Sequence, residues 1–466
     1  MRDENTQPDP GLPRLAAALC ALAALVTFGC AEPEVARRPD VVLVVVDTLR
    51  ADHLSLYGHD RPTSPTIDAW AEGGTVFDTA RSTSSWTIPS MAMILSGKLR
   101  SDNRGLIGRG VPTLAERFAD AGYATGAVVA NKLLEPDRGW GAGFDRYDHD
   151  PKVRLGEARA WTGDQVVARG LDVLDELGDE RPTFLLLMLF DPHQPLRPER
   201  QEFEPRNDAE RRAAFDAELG PDQSLTNFQY REIERMRALY EDEVREADEA
   251  FGQLLAGLAE RGRLDRTVIA FTADHGEGLW DRAAPPDTVV AGKGPVPELY
   301  GGHGVQLHDE QVRVPLVFAG PGIPSGVRRS EPVLTIDVAA TLANLAELDF
   351  DDPHGLDLLA ESRPVRDELV AFMSRGASLT VDGRWRLHLP NEGQRNRYGL
   401  KPTLFDLESD PLERDPLDDP ERRKAMRKRL EELIERYDGA DLASAEVADP
   451  ELLERLGYTD GQADSR

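Results

Sequence analysis

Cysteine is scarce in this chain. The 466 residues include only Cys20 and Cys30, both close to the N-terminus, so the long remainder cannot form an internal disulfide. Aromatic residues are also few, at 6%. A hydrophobic content of 40% is nonetheless sufficient for a full α/β core in a chain of this length.

Positive charge is in short supply as well. Lysine and arginine total 55 against 84 acidic residues, which gives a formal charge of −29 and a pI near 4.7. Long-range repulsion disfavours nucleic acid as the main partner. A small anionic substrate is compatible with this charge, because a metal ion and a few local donors can reverse the field inside one pocket.

The N-terminus has the features of an export signal. Arg2 and Arg14 precede the apolar run 15–26, which is too short for an ordinary membrane-spanning helix and is followed by Gly29 and Cys30. The ending resembles a bacterial lipoprotein box. We predict a signal peptide over 1–29, lipidation of Cys30, a tether over 30–38, and a membrane-anchored protein facing the periplasm or the cell exterior. A plain signal peptide cut nearby and an uncleaved anchor are the alternatives.

Three apolar runs end close to acidic residues. Val41–Val46 precedes Asp47, Thr183–Phe190 precedes Asp191, and Thr267–Phe271 is followed after two residues by Asp274. Continuous aliphatic runs separated by helical stretches predict an α/β fold, a doubly wound, mainly parallel sheet flanked by helices, over 39–360. Ligands of such sheets bind at the carboxyl ends of the strands, where these acidic residues would lie.

The C-terminal part changes character. Short alternating pieces followed by a charged helix over 419–437 predict a smaller antiparallel sheet plus helix in 361–438, with a polar tail over 439–466. Two charged or Pro- and Gly-rich stretches, 194–225 and 281–301, are predicted to be loops at the rim of the site rather than core.

The segment 84–97 is predicted to contain a short buried helix. Pro89 suits a first helical position, and Gly97 suits a left-handed C-terminal cap. Thr87 would then lie just before the helix N-terminus, where backbone N–H groups favour an oxyanion. Its hydroxyl is a candidate nucleophile, and a simple capping role is the alternative.

Six polar residues are predicted to meet at one end of the sheet. Taken singly, each could be a turn residue, a helix cap or a loop histidine. Together, carboxylates and imidazoles can bind a divalent ion that polarises an ester and eases ionisation of a hydroxyl. Zn, Mn and Ca all fit such ligands, and a second ion would need His193, His303 or Asp191. The six residues are Asp47, Thr87, His193, Asp274, His275 and His303.

An ordered series of motifs resembles the sulfatase family, within the wider alkaline phosphatase superfamily. The match runs from about residue 39 to about residue 417. It comprises Asp47-Thr-Leu-Arg-Ala-Asp52-His-Leu-Ser-Leu-Tyr-Gly58, Trp86-Thr87-Ile-Pro-Ser90, Asp191-Pro-His193, Asp274-His-Gly-Glu277, Gly302-His303-Gly304 and Leu404-Phe-Asp-Leu-Glu-Ser-Asp-Pro411, among others.

The resemblance implies roles for these residues. Asp47, Asp274 and His275 would bind the metal, Thr87 would be the nucleophile and also touch the metal, and His193 and His303 would bind the substrate oxyanion or protonate the leaving group. The sequence departs from the family pattern in three respects: Thr87 replaces the cysteine or serine that becomes formylglycine, Met91 replaces an arginine, and Thr48 and His275 replace a second acidic ligand and an asparagine.

A threonine with an Asp-His pair is similar to the phosphoethanolamine and phosphoglycerol transferases and phosphodiesterases of the superfamily. The sequence therefore predicts a metal-dependent hydrolase or transferase of small or membrane-associated phosphate or sulfate esters. A sulfuric ester hydrolase without formylglycine and an inactive sulfatase-like binding lipoprotein are the alternatives.

The export prediction is tested at Cys30. Cys30→Ala should release the protein from membranes or block its processing, because the lipid would have no attachment point. Membrane fractionation and mass spectrometry of the mature N-terminus measure this. A soluble, unlipidated wild-type form cut at another residue would contradict lipidation and leave export intact.

Overall fold

The computed structural model describes residues 37–100, 111–150, 161–219, 225–284, 299–350, 354–362 and 365–437. The predicted signal peptide, Cys30 and the polar tail over 439–466 lie outside the described residues. Within the described ranges, no helix combines the length and apolar composition needed to cross a membrane.

Eight strands form the central sheet, in the order β11-β2-β10-β7-β1-β6-β4-β5. All neighbours in it are parallel except β10, which runs antiparallel to β7 and β2. The strands of the described residues, in chain order, are β1 (Asp40–Val46), β2 (Gly74–Phe77), β3 (Ala80–Arg81), β4 (Ala124–Val129), β5 (Arg146–His149), β6 (Thr183–Leu189), β7 (Thr267–Ala273), β8 (Gly278–Ala283), β9 (Leu299–Gly302), β10 (Leu316–Ala319), β11 (Val327–Arg329), β12 (Val333–Leu334), β13 (Glu368–Met373), β14 (Gly376–Val381), β15 (Trp385–Pro390) and β16 (Thr403–Asp406).

The central strands β1, β6 and β7 are buried at every residue, because helices cover the sheet. Helix Gly163–Leu177 packs on β4 and β6, and the long helix Asn227–Glu260 packs on that helix in turn. This arrangement confirms the predicted doubly wound α/β fold. The α-helices of the described residues are Pro65–Ala71, Thr87–Ser96, Leu114–Asp120, Gly163–Leu177, Ala209–Leu219, Asn227–Glu260, Asp309–Val312, Asp337–Leu345, Glu392–Tyr398 and Pro420–Arg436.

The predicted rim loops contain regular structure. Helix Ala209–Leu219 lies within the first stretch, and β8 pairs with β9 at the two ends of the second. Asp281 on β8 forms ion pairs with Arg50 and Arg237. The prediction of a rim loop is therefore wrong at the N-terminal end of this stretch, where residues 281–283 belong to β8 and Arg282 is buried. Residues 285–298 lie outside the described residues.

The C-terminal layer is confirmed as a small antiparallel sheet, in the order β13-β14-β15-β16, with helix Pro420–Arg436 packed on β14 and β15. Arg386 on β15 is 1% exposed and contacts Asp309 and Glu413. Asp309 also accepts hydrogen bonds from Arg81, the second residue of β3. A buried ion network therefore joins this layer to the main sheet region.

Arg386→Met should destabilise the protein by about 3 to 5 kcal/mol, because it leaves buried carboxylates without their shared cation. Denaturant unfolding followed by circular dichroism measures this loss. The control is Arg427→Met, which removes an exposed pair with Glu431 and should change the free energy of unfolding by less than about 0.5 kcal/mol. Equal effects of the two substitutions would contradict a role for the buried network.

Candidate active site and metal centre

The pairing of β1 with β7 brings two carboxylates together. Val46 lies opposite Ala273 in the parallel register, so the next residues, Asp47 and Asp274, leave the sheet side by side. Both side chains are completely buried. One ligand atom from each, together with one from His275, lie within 4.8 Å of one another. The predicted metal ligands are thus in one place.

The backbone after β1 takes an unusual conformation at this point. Thr48 has φ of 57°, a left-handed conformation that costs a non-glycine residue about 1 to 2 kcal/mol. In this conformation its N–H donates to Asp274 Oδ1 at 3.2 Å, and its C=O accepts from the Tyr240 hydroxyl at 2.7 Å. Thr48 therefore supports the site through its backbone and joins the ends of two strands.

The His275 ring is held with one nitrogen directed at the carboxylates. Its Nδ1 lies 2.8 Å from the Gly276 carbonyl oxygen, so Nδ1–H is the donor and Nε2 keeps its lone pair. Nε2 lies 3.4 Å from Asp274 Oδ2 and 3.8 Å from Asp47 Oδ1. Gly276 is required here, because a Cβ would lie 2.2 Å from the Glu310 carbonyl oxygen.

The electrostatics of this group call for a cation. Burial, and for Asp47 also the charge of Asp274, raise the pKa values of both carboxyl groups. Burial lowers the pKa of His275 well below its usual value, and His303 adds to this effect, so the imidazole is neutral. Asp47 Oδ1 and Asp274 Oδ2 have no hydrogen-bond partner. Two buried, unpaired carboxylate oxygens and a lone pair form a set that fits a divalent ion.

Asn131, which sequence analysis missed, holds Asp47 in place. Its Nδ2 donates to Asp47 Oδ2 at 2.6 Å, and its Oδ1 accepts from the Leu133 N–H at 2.9 Å. Asp47 Oδ1 is thereby left for the metal. In the sequence, this role is indicated only by the position of Asn131, a polar residue two positions after the end of β4. Asp47 is likewise a polar residue that follows a buried strand.

Thr87 is the first residue of helix Thr87–Ser96, and Trp86 is its N-cap. The helix therefore begins two residues before the predicted start at Pro89. Gly97 ends it with φ of 67°, as predicted. The buried Thr87 Oγ1 lies 3.4 Å from His275 Nε2, and its hydroxyl partly offsets the effect of burial on the pKa of Asp274. The predicted nucleophile thus lies at the predicted metal centre.

His303 and His193 lie beside this group. The His303 ring centroid is 4.5 Å from that of His275 and 5.0 Å from that of His193. His303 Nδ1 lies 3.2 Å from both carboxylate oxygens of buried Glu277, which fixes Nδ1–H as donor. The role of Glu277 was not predicted, although it stands in the Asp-His-Gly-Glu motif.

Asp191, a possible ligand of a second metal ion, instead accepts a hydrogen bond from a helix N-terminus. Its Oδ2 accepts from the Gly163 N–H at 2.8 Å, at the start of helix Gly163–Leu177. In the part of the chain that the structure describes, the group of possible ligands at this site contains Asp47, Asp274 and His275, without Asp191, His193 or His303.

An α/β sheet with buried carboxylates, a neutral imidazole and a hydroxyl at the carboxyl end of its strands can hold a divalent ion beside a potential nucleophile, a combination suited to ester hydrolysis. The sulfatase family profile matches residues 39–348. The chain belongs to the sulfatase family, whose members typically depend on divalent metals.

The relatives include a choline-sulfatase from Rhizobium meliloti, 25% identical over 448 residues that cover 81% of each chain. Human arylsulfatase A is 25% identical over 464 residues, covering 81% of this chain and 83% of that protein. The crystal structure of a phosphonate monoester hydrolase of Agrobacterium radiobacter superposes with a TM-score of 0.66 at 21% identity, over 86% of this chain and 96% of that one. This last likeness shows a common fold.

Asn131→Ala should weaken divalent metal binding by about 10- to 100-fold, because Asp47 would lose the group that orients it. Metal affinity is measured by competition with a chromophoric chelator. The control is Asn391→Ala, which removes a helix-capping side chain distant in sequence and should leave metal affinity unchanged. An unaltered affinity in Asn131→Ala would show that Asp47 needs no such support.

Proposed function

We propose that the protein is an exported, membrane-tethered, metal-dependent hydrolase or transferase of phosphate esters, with Thr87 as its nucleophile. The observation that carries this proposal is the position of Thr87 Oγ1, 3.4 Å from His275 Nε2 at the buried carboxylate pair. A threonine that served only as a helix cap would have no need of two buried carboxylates beside its hydroxyl.

Asp47, Asp274, His275 and Thr87 would hold the metal ion. When bound, the ion supplies positive charge that eases ionisation of the hydroxyl and offsets charge on the oxygens of the transferred group. Carboxylate, imidazole and hydroxyl ligands in one site are compatible with Zn, Mn and Ca.

The reaction takes place in two halves. The ionised Thr87 oxygen forms a bond to phosphorus while the bond from phosphorus to the ester oxygen breaks, giving a phosphothreonine. Water or an alcohol then attacks phosphorus and releases Thr87. Backbone N–H groups in the first turn of helix Thr87–Ser96 lack intrahelical acceptors and can donate to the transferred group.

The two histidines provide protons and binding contacts. With Nδ1–H of His303 directed to Glu277, Nε2 is the atom that can carry a proton to the departing oxygen. Glu277 offsets the positive charge of the ring while the ring holds that proton, and the ring is neutral again after the proton has been donated. His193, in edge contact with His303, would bind an oxygen of the transferred group or share the proton transfer.

Phosphate esters are the preferred substrates because a threonine cannot release sulfate by elimination. The family's formylglycine hydrate expels sulfate by elimination, and oxidation of a threonine cannot produce that aldehyde. A sulfated Thr87 would have to be cleaved by attack of water at sulfur, whereas a phosphothreonine is resolved by in-line attack at phosphorus.

Thr87→Ala should lower kcat by roughly 10³-fold or more, since no other group can form the covalent intermediate. Thr87→Ser should retain part of the activity, because it keeps the hydroxyl. The measurement uses the metal-loaded protein and a panel of phosphate monoesters, phosphate diesters and aryl sulfates, with mass spectrometry of acid-quenched protein for phosphorylated Thr87.

Because Thr87 is also a proposed metal ligand, metal content and unfolding temperature are measured at saturating metal as controls. A variant that keeps its metal and its fold but loses activity has lost the nucleophile. Near-full activity of Thr87→Ala would assign the attack to another nucleophile. Aryl sulfates turned over much faster than any phosphate ester would establish a formylglycine-independent sulfuric ester hydrolase instead. A metal-loaded wild type without turnover on the whole panel would indicate a binding protein.

A further inference from the structure

A second histidine and carboxylate group lies beside Tyr240, the residue whose hydroxyl donates to the Thr48 carbonyl. It consists of His53, His59 and Glu241, whose ligand atoms lie within 4.8 Å of one another. The side chains are 8%, 9% and 1% exposed, respectively. His53 and His59 belong to the short turns after β1, and Glu241 belongs to helix Asn227–Glu260. The proposed catalytic mechanism uses none of the three.

The hydrogen bonds of His59 leave a lone pair directed at a carboxylate. His59 Nδ1 lies 3.1 Å from the Asp52 carbonyl oxygen, which can only accept, so Nδ1 carries the hydrogen. Nε2 of the neutral ring then has a lone pair 3.3 Å from Glu241 Oε1. Two lone pairs facing each other at this distance repel, unless a cation lies between them.

His53 adds a second unsatisfied nitrogen at the same place. Its Nδ1 is buried without a hydrogen-bond partner, as is His59 Nε2, and it lies 4.0 Å from Glu241 Oε1. A single proton on one ring would satisfy one nitrogen and leave the other unpaired. An ion with several coordination positions can satisfy both.

The carboxylate has one oxygen engaged and one available. Arg61 donates to Glu241 Oε2 at 2.5 Å, and this contact orients the group with Oε1 toward the two rings. The Asp52 carbonyl similarly fixes the tautomer of His59. Such outer contacts, which orient each ligand, are typical of metal sites.

We propose that His53 Nδ1, His59 Nε2 and Glu241 Oε1 bind a divalent ion of the zinc class at a second site, separate from the catalytic centre. Two imidazoles and a carboxylate are ligands suited to zinc. In a tetrahedral site with zinc–nitrogen distances of about 2.0 to 2.1 Å, ligand atoms are about 3.4 Å apart. Small side-chain movements would bring the three atoms to that spacing.

The second site would brace the first. The His53 ring packs edge-on against Tyr240 with centroids 5.1 Å apart. The Tyr240 hydroxyl donates to the Thr48 carbonyl and accepts from the Arg50 N–H. An ion joining His53 and His59 to Glu241 would thus fix the turns after β1 on the helix that carries Tyr240, and so hold the backbone that contacts Asp274.

Cobalt(II) is the probe that tests this site, because its visible absorption reports imidazole ligation. The full chain is prepared as Asp274→Asn, which disables the catalytic centre, and as the double variant Asp274→Asn/His59→Gln. After metal removal, we expect Asp274→Asn to bind one equivalent of cobalt, and the double variant to bind at least about tenfold more weakly. Zinc should raise the unfolding temperature of the first variant and not of the second.

The matched control is the double variant Asp274→Asn/His149→Gln. Among the described residues, His149 on β5 belongs to none of the possible ligand groups, so this variant should bind cobalt as tightly as Asp274→Asn does. In the wild-type background, His59→Gln should lose one bound equivalent, a comparison that holds even if Asp274→Asn fails to fold. Absence of cobalt binding in Asp274→Asn together with no loss in His59→Gln would overturn the proposal and leave a protonated His59 paired with Glu241. Binding that survives His59→Gln would overturn it as well.

Discussion

The parallel pairing of β1 with β6 and β7 is the constraint on which the site depends. The three strands are apolar at nearly every position and buried on both faces, so their place at the centre of the sheet and their direction are fixed by the core. The register then decides which polar residues meet. Because Val46 pairs with Ala273, Asp47 and Asp274 leave the sheet together. Packing of the hydrophobic core therefore brings the two carboxylates of Asp47 and Asp274 close together, although they repel each other.

That contact explains the structure around it. Two buried carboxylates are tolerated because hydrogen bonds from the Thr48 N–H, the His275 N–H and Asn131 reach one oxygen of each and leave the other for a cation. The left-handed backbone at Thr48 is part of the same arrangement. Its strain is small beside the cost of an unsatisfied carboxylate in the interior.

The proposed role of Thr87 as nucleophile is compatible with membership of the sulfatase family. The fold supplies a cation site and a helix N-terminus, and both act on any tetrahedral anion. The nucleophile decides how the covalent intermediate can break down. A threonine keeps the metal-side geometry and removes the elimination route, which is the physical basis for proposing phosphate esters as substrates.

Sequence alone was enough to predict the buried strands β1, β6 and β7, the C-terminal layer and the candidate ligands Asp47, Asp274 and His275, because continuous apolar runs and the residues directly after them are local features. It also indicated Thr87, His193 and His303. The antiparallel direction of β10, the ion pairs of half-buried Asp281 with two buried arginines, and the support that Asn131 and Tyr240 give to the site depend on the tertiary structure. Asn131 contacts Asp47 across 84 residues and Tyr240 contacts Thr48 across 192. Contacts between residues so far apart depend on how the strands and helices pack, and no local pattern of residues encodes them.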